Sequence, residues 1–297
     1  MADSTTTPSP RPTDWIEGAR PHTWPNAFAP VIVGSGAAAA AGGFVAWKAI
    51  FAAVVALALI IGVNYANDYS DGIRGTDDDR SGPLRLTGSG LARPEHVRTA
   101  AFGAFGVAGA FGLVLAATSA WWLILLGALC IAGAWFYTGG KNPYGYRGLG
   151  EAAVFVFFGL VAVLGTEFTQ AGRITWTGLA AAVAVGCFSS AVNLANNLRD
   201  IPTDAASGKI TLAVRLGDRE TRRVWVLLAG APYLLSLAVA AAHLPALAAL
   251  IALPVSVVAA EPVVRGRTGR DLIPVLGATG KAMLLWSTVT AIALTLT

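Results

Sequence analysis

Apolar residues fill most of this chain in long unbroken stretches, and charged residues are concentrated in the segments between them. The uncharged stretches cover residues 21–47, 49–67, 99–140, 152–166, 174–198, 224–260 and 282–297. Because about 20 consecutive apolar residues cross a bilayer as a helix, the two longest stretches must each hold two spans. The pattern therefore predicts an all-α, polytopic membrane protein with about nine transmembrane helices.

Composition supports this class of protein. Of the 297 residues, 55% are hydrophobic and 13% are charged, which is far from the composition of a soluble domain. We expect residues 1–19 to form a disordered or interfacial tail, because they are rich in proline, serine and threonine with mixed charge, and they lack the basic-then-apolar order of a signal peptide. Residues 20–297 then form a single transmembrane domain. Cys130 and Cys187 lie inside predicted spans without metal or disulfide spacing, so we interpret them as packing residues.

The distribution of basic residues predicts an orientation. With the N-terminus inside, 18 of the 21 lysines and arginines fall on the inner side, while Lys48 and Arg173 fall outside and Lys281 is left uncounted. Cytoplasmic loops carry such an excess, so we expect an inner-membrane protein whose N-terminus and larger loops face the cytoplasm. The net charge of +4 is then explained by the basic residues of the cytoplasmic loops, and no nucleic-acid partner is expected.

A nine-residue pattern occurs twice. Residues 63–71 read VNYANDYSD and residues 192–200 read VNLANNLRD, with five identities at equal spacing. Both copies end a predicted span, and the four spans between them make the copies point the same way, as in a parallel structural repeat. Within each copy an asparagine and an aspartate stand four residues apart, on one helix face.

These polar residues are candidates for metal binding. Carboxylates at a helix C-terminus oppose the macrodipole and need a cation, and acids at membrane depth are usually functional. Carboxylate and amide oxygens suit Mg²⁺. Solvated or arginine-paired charge is the alternative, which we favour for Asp78, Asp79, Asp218 and Glu220. The predicted metal ligands are Asn67, Asp68, Asp71, Asp77, Asn196, Asp200 and Asp204.

Two such clusters imply a diphosphate between them, because Mg²⁺ usually binds through one or two carboxylates plus substrate phosphates. Arginine forks and lysine charges bind phosphate oxygens well. Positive-inside bias alone also explains any one of the basic residues on this side. The candidate substrate-binding residues are Arg20, Arg74, Arg80, Arg85, Tyr137, Lys141, Arg199, Lys209 and Arg215.

The motifs resemble those of the UbiA superfamily of intramembrane aromatic prenyltransferases. The run NDYSDGIRGTD at residues 67–77 looks like the superfamily's first Asp-rich motif, except that its third acid would fall on Gly75 and Asp77 stands two positions later. Asn196, Asp200 and Asp204, followed by GKITLAVRLG, look like the second motif, and YTGGK at 137–141 resembles its Tyr-x-x-x-Lys segment.

The resemblance implies nine transmembrane helices around a central cavity, Mg²⁺ dependence and a lipid product. Taken with the two clusters, it leads to the hypothesis that two Mg²⁺ ions clamp the diphosphate of a polyprenyl donor, with catalytic roles for Asp71, Asp200 and Lys141. The segments ARPHTWPNAFAPVIVG and YTGGKNPYGYRGLGE are most similar to the branch that prenylates and decarboxylates 1,4-dihydroxy-2-naphthoate in menaquinone synthesis. Arg20 would hold the acceptor carboxylate or be an ordinary juxtamembrane arginine. Glu151 would steer the acceptor hydroxyl or pair with Arg147.

Three alternatives stay open at this stage. The acceptor could be another aromatic such as 4-hydroxybenzoate. A transporter with acidic sites is a second possibility, although transport sites usually lie near the bilayer midplane on broken helices. A CDP-alcohol phosphotransferase is the third, but DGIRG at residues 71–75 is only a fragment of the motif that such enzymes need.

Overall fold

The computed structural model describes residues 10–75, 84–241 and 243–296, and these residues form helices joined by short loops without any β-strand. This confirms the all-α prediction. The helices are α1 (Pro12–Gly18), α2 (Pro25–Ala40), α3 (Ala46–Gly72), α4 (Pro94–Ala117), α5 (Leu123–Phe136), α6 (Gly150–Ala171), α7 (Trp176–Arg199), α8 (Ile201–Ala206), α9 (Leu212–Ala240), α10 (Leu244–Val264) and α11 (Gly269–Thr295).

The chain is a multi-pass membrane protein. Within the described residues, α3, α4, α6, α7, α9, α10 and α11 are long and apolar enough to cross a bilayer. Helix α5 is a shorter apolar helix, and α2 has 16 residues, so the predicted number of about nine spans is approximate. Large apolar side chains such as Leu125, Leu227 and Val258 are about two-thirds exposed, which suits surfaces that face lipid.

Helix α7 forms the centre of the bundle. It is 83% buried over its apolar window, against at most 44% for the other candidate spans. It packs on α2, α6, α9 and α11. Phe188 of α7 makes edge-to-face contacts with Tyr233 and Trp286, with ring centroids 6.0 and 6.2 Å apart. The indole Nε1 of Trp286 donates a hydrogen bond of 2.8 Å to Ser236 Oγ, which satisfies the one polar atom of that ring.

Helix α6 approaches α7 closely because both carry glycine at the crossing. A Cβ on Gly159 would lie 2.5 Å from Gly186 Cα, so no larger residue fits there without movement. Small residues permit such approaches between membrane helices. The crossing lies within Phe155–Val161, which winds as a π-helix, a feature that often marks functional sites. The approach brings the start of α6 beside the polar end of α7.

The segment before α2 packs on the first repeat. Within the predicted tail of residues 1–19, Pro12–Gly18 is helical, and Tyr65 Oη of α3 donates a hydrogen bond of 2.8 Å to Trp15 O. Asn64 Nδ2 donates to Ala19 O at 3.1 Å and to Thr23 Oγ1 at 3.0 Å. The first repeat therefore fixes the turn that connects α1 to α2.

Candidate active site

A cavity of about 590 Å³ lies among α2 to α7 and α11. Helix α3 lines it from Ala52 to Asp71, which is roughly 28 Å at about 1.5 Å per residue. Apolar side chains such as Leu115 and Leu126 line its deep part, and its other end is polar. The polar end is lined by Asn67, Asp71, Arg85, Asn196, Arg199 and Lys209. A cavity of this shape suits a long apolar ligand with a charged head.

The first repeat presents one amide and one carboxylate to the polar end. Asn67 Oδ1 accepts a hydrogen bond of 2.8 Å from Thr138 Oγ1. Asp71, only 3% exposed, accepts at Oδ1 from Tyr146 Oη at 2.7 Å, and its Oδ2 lies 3.8 Å from Arg85 Nη2. The predicted pair Asn67 and Asp71 therefore lines the same part of the cavity, with Arg85 beside it.

The second repeat has the same pair, held by an arginine. The Arg199 guanidinium donates from Nε to Asp200 Oδ1 at 2.6 Å and from Nη2 to Asp200 Oδ2 at 2.7 Å. The same Nη2 donates to Asn196 Oδ1 at 2.9 Å. Arg199 and Asp200 are 6% and 3% exposed. The oxygens of Asn196 and Asp200 therefore converge on one cation, as their spacing predicts, and in this structure that cation is Arg199.

Tyr146 connects the two halves of the site. Besides its bond to Asp71, its ring lies 5.4 Å from the Arg74 guanidinium and 5.5 Å from Lys209 Nζ, both within cation–π range. Lys209 Nζ is 3.5 Å from Asp204 Oδ1. Tyr146 is not among the site residues predicted from the sequence. The available signal was an aromatic hydroxyl in a polar loop five residues beyond Lys141.

Several predicted residues are not brought into the cavity. Arg74 donates to the carbonyls of Thr138 and Gly140, so it holds the loop after α5. Lys141 and Arg215 are exposed and absent from the cavity lining. Their direct contact with a substrate stays a prediction. Asp77 and Arg80 lie outside the described residues.

Asp68 is also placed away from the cavity lining. It is fully buried, and its Oδ2 and Oδ1 accept hydrogen bonds from the backbone N–H groups of Leu86 and Thr87 at 2.7 and 2.9 Å. Its carboxylate therefore holds a loop that returns to α3. Its assignment as a metal ligand stays a prediction that this placement does not favour.

Arg20 and His22 line the cavity near its polar end. Arg20 adopts a left-handed backbone conformation with φ of 54° in the turn before α2. Desolvation by the surrounding protein, followed by the charges of Arg20 and Arg199, lowers the pKa of His22 to about 4. The positive charges of Arg20 and Arg199, which also line the cavity, favour an anionic ligand at this end.

Glu151 forms a second polar cluster beside the cavity. It is 5% exposed, and its Oε1 accepts from Asn197 Nδ2 at 2.7 Å and from Asn193 Nδ2 at 3.3 Å, so its partners are amides of α7. Tyr137 Oη donates to Asn193 Oδ1 at 3.4 Å. Burial raises the pKa of Tyr137, so its hydroxyl is a neutral hydrogen-bond donor.

The donor set fits Mg²⁺ that shares its coordination with phosphate. In the described part of the chain no group of three or more histidine, cysteine, aspartate or glutamate residues is close enough to enclose a metal ion. Each repeat instead offers one carboxylate and one amide, Asp71 with Asn67 and Asp200 with Asn196. Mg²⁺ commonly uses one or two carboxylates and completes its octahedron with water and substrate phosphates.

Comparisons with known proteins point to one family. The UbiA prenyltransferase family matches residues 27–288. A 1,4-dihydroxy-2-naphthoate octaprenyltransferase of Mycobacterium tuberculosis is 59% identical over 280 residues, which is 94% of this chain and 96% of that protein. The protein of the same description from Escherichia coli is 40% identical over 216 residues, 70% of either chain.

Solved structures share the fold. A UbiA homolog from Archaeoglobus fulgidus bound to DMAPP and Mg²⁺ superimposes with a TM-score of 0.69 at 13% identity, over 96% of this chain and 100% of that one. The apo structure of a UbiA homolog from Aeropyrum pernix gives a TM-score of 0.69 at 16% identity, over 87% of this chain and 94% of that one. At these identities the likeness concerns the fold alone.

Proposed function

Because this chain belongs to the UbiA prenyltransferase family, we propose that it transfers a polyprenyl group from its diphosphate to 1,4-dihydroxy-2-naphthoate. It is an aromatic prenyltransferase, and the names of its relatives support the naphthoate acceptor and a place in menaquinone biosynthesis. The observation that carries the proposal is that Asn67, Asp71 and Asn196 line the polar end of a long apolar cavity. Asp200 is joined to Asn196 there through Arg199, which lines the same end.

The donor lies with its diphosphate at the polar end and its tail in the apolar part. Arg85, Arg199 and Lys209 line the polar end and bind phosphate oxygens by charge-assisted hydrogen bonds. Mg²⁺ bound by Asn67 and Asp71, and a second ion bound by Asn196 and Asp200, would neutralise the charge that develops on the departing diphosphate. Asp77 and Asp204 are further candidate ligands from the sequence.

Cleavage of the allylic C–O bond leaves an electrophilic prenyl carbon, and water would attack this carbon and give an alcohol. Apolar side chains from α3, α5 and α6 line the cavity there, including Leu59, Ala134 and Phe157, and they exclude water from the reacting carbon. The naphthoate ring attacks at the carbon that carries its carboxylate. The new C–C bond forms, CO₂ leaves with loss of the C–C bond to the carboxyl group, and the ring becomes aromatic again, giving demethylmenaquinol.

The acceptor approaches the same end. Arg20 lines the cavity there and offers a guanidinium to the acceptor carboxylate. Glu151 lies behind Asn193 and Asn197, both of which line the cavity, and positions their amides. Lys141 remains a candidate for diphosphate contact if its loop closes over the bound donor.

Residues 20–297 form a single transmembrane domain in the inner membrane, and the excess of basic residues on one side supports its orientation. In that arrangement the N-terminus and the polar end of the cavity face the cytoplasm. Labelling of single cysteines introduced near residue 20 and near residue 173 in intact cells tests this orientation. Labelling near residue 173 only, by an impermeant reagent, is the expected result.

The activity is tested by offering the purified protein 1,4-dihydroxy-2-naphthoate or 4-hydroxybenzoate with prenyl diphosphates of several lengths and Mg²⁺, and identifying the product by mass spectrometry. A prenylated, decarboxylated naphthoquinol is expected. A prenylated benzoate alone would change the acceptor and keep the reaction class. Donor-independent ion uptake by proteoliposomes, without any prenyl product, would contradict the proposal and support a transporter.

Variants sharpen the test. Asp71→Asn and Asp200→Asn each remove the one carboxylate that their repeat brings to the site, so turnover should fall by at least about 100-fold. Glu220→Gln is the matched control, because Glu220 is a half-exposed acid that pairs with Arg223 on the surface of α9. Full activity of either aspartate variant with Mg²⁺ chelated would contradict the metal scheme.

A further inference from the structure

We propose that Asp68 is a positioning residue that holds the loop carrying Arg85 over the first acid, and that it does not bind metal. This inference rests on the proposed function for the role of Arg85. It concerns a residue that stands inside the motif next to Asn67, where sequence alone suggests a metal ligand.

The first step is the bond between Asp68 and the loop. Both carboxylate oxygens accept backbone N–H groups, from Leu86 at 2.7 Å and from Thr87 at 2.9 Å. Leu86 is fully buried and packs with Tyr65 and the segment before α2. A Cβ on Gly72 would lie 2.5 Å from Thr87 Cγ2, so the loop lies directly on the end of α3. Charge-assisted hydrogen bonds from N–H groups to a buried carboxylate are among the stronger hydrogen bonds in proteins.

The second step is the effect on Arg85, the residue before Leu86. Its Nη2 lies 3.8 Å from Asp71 Oδ2, its side chain is 12% exposed, and it lines the polar end of the cavity. Holding the backbone at Leu86 and Thr87 therefore fixes the starting point of a long, flexible side chain. Preorganising a cation in this way reduces the entropy lost when it binds an anion.

The third step is a comparison of the two repeats. Asp68 and Asn197 occupy the same position of the nine-residue pattern, as do Asn64 and Asn193 four residues earlier. In both copies this i, i+4 face holds a neighbouring segment. In the first copy Asn64 holds Ala19 O and Asp68 holds the returning loop. In the second copy Asn193 and Asn197 both hold Glu151. The adjacent face, Asn67/Asp71 and Asn196/Asp200, carries the predicted metal ligands.

The residue type at this position follows from its partner. The partner of Asp68 is a pair of N–H donors, so the position needs two acceptors and a carboxylate provides them. The partner of Asn197 is the Glu151 carboxylate, so the position needs a donor and an amide provides it. Metal binding does not explain this difference between the copies.

The test compares Asp68→Asn and Asp68→Ala with Asp71→Asn, an acid one turn further along the same helix. The first measurement is hydrogen exchange of peptides covering residues 84–89 in the metal-free protein. Both Asp68 variants should exchange faster there, the alanine variant by at least tenfold, because Asp68 is the acceptor for two of these amides. Asp71→Asn should leave this exchange within about twofold of the wild type.

The second measurement separates donor binding from metal binding. In both Asp68 variants the KM for prenyl diphosphate should rise about tenfold while the Mg²⁺ concentration for half-maximal rate stays within twofold, and Asp71→Asn should raise the Mg²⁺ requirement. Arg85→Ala should raise the donor KM similarly, and adding Asp68→Ala to it should cost little more, because both changes remove one function.

Unchanged exchange at residues 84–89 together with a raised Mg²⁺ requirement in Asp68→Asn would overturn the inference and make Asp68 a ligand. A donor KM that Arg85→Ala leaves unchanged would overturn the role assigned to the loop. If the wild-type protein makes no prenylated product, the proposed function fails. The exchange measurement still tests the Asp68 contact in that case, since it needs no substrate.

Discussion

Replacing Arg199 by glutamine should lower the free energy of unfolding, and added Mg²⁺ should restore most of the lost stability. Arg199 makes a two-pronged ion pair with Asp200, at 2.6 and 2.7 Å, and both residues are more than nine-tenths buried. Removing one partner of such a pair costs about 3–5 kcal/mol, because the remaining charge stays buried without it. Glutamine still offers one amide donor to Asn196 or Asp200, so we expect a loss near the lower end, about 3 kcal/mol.

The loss should appear as a lower melting temperature in metal-free detergent or nanodisc samples. About 2–4 °C per kcal/mol applies to domains of roughly 150–250 residues, so a decrease of about 6–12 °C is expected. Mg²⁺ at about 100 times its dissociation constant stabilises a binding protein by about 2.7 kcal/mol, which restores most of the loss. The wild-type protein should gain less from Mg²⁺ alone, because Arg199 already neutralises Asp200.

Arg223→Gln is the matched control. Arg223 pairs with Glu220 at 2.7 Å, but the two side chains are 57% and 48% exposed, so its loss should change stability by less than about 1 kcal/mol without any Mg²⁺ dependence. Equal Mg²⁺ shifts of the melting temperature in the wild type and in Arg199→Gln would refute the reasoning. So would an unchanged melting temperature of the metal-free variant.

Three further outcomes are expected. Tyr146→Phe keeps the ring between its two cations and removes the hydrogen bond to Asp71, so kcat/KM should fall by about 10- to 100-fold with little loss of melting temperature; an unchanged kcat/KM would contradict a role for that bond. Gly127→Phe adds a ring to the deep, open part of the cavity, so steady-state rates with long prenyl diphosphates should fall at least tenfold more than rates with the shortest donor, and equal loss for both would place the tail elsewhere. Glu151→Leu removes the oxygen that accepts from the Asn193 and Asn197 amides, so the acceptor KM should rise several-fold while the donor KM stays unchanged; a rise in the donor KM alone would contradict the assignment.

The sequence predicts those parts of this protein that depend on local geometry. Long apolar stretches predict membrane helices because the bilayer sets their length, and the four-residue spacing of Asn67 and Asp71 predicts a shared face because helix geometry sets it. The same geometry also separates Asp68 from Asn67, since successive residues point in directions about 100° apart and Asp68 shares its face with Asn64 instead.

The positions of the basic side chains could not be predicted in the same way. Arg74, Lys141 and Arg215 satisfy the same positive-inside rule as Arg85 and Lys209, but loop conformation decides which of them reach the cavity. Those conformations depend on contacts that are distant in sequence, such as the bond between Asp68 and Leu86. Tyr146 was missed for the same reason, because its partner Asp71 stands 75 residues earlier in the chain.

The two halves of the site are built alike, and this explains how a membrane protein keeps acids at the ends of buried helices. An arginine lies against the acid of each Asn/Asp pair, Arg85 beside Asp71 and Arg199 on Asp200. The arginines offset the helix dipole and the desolvation that would otherwise disfavour each carboxylate. An arriving diphosphate gives both arginines a second anionic partner, and Mg²⁺ gives the acids a second cation. Diphosphate that binds the arginines frees the acids for Mg²⁺, and Mg²⁺ that binds the acids frees the arginines for diphosphate. Donor binding and metal binding at this site should therefore strengthen each other reciprocally.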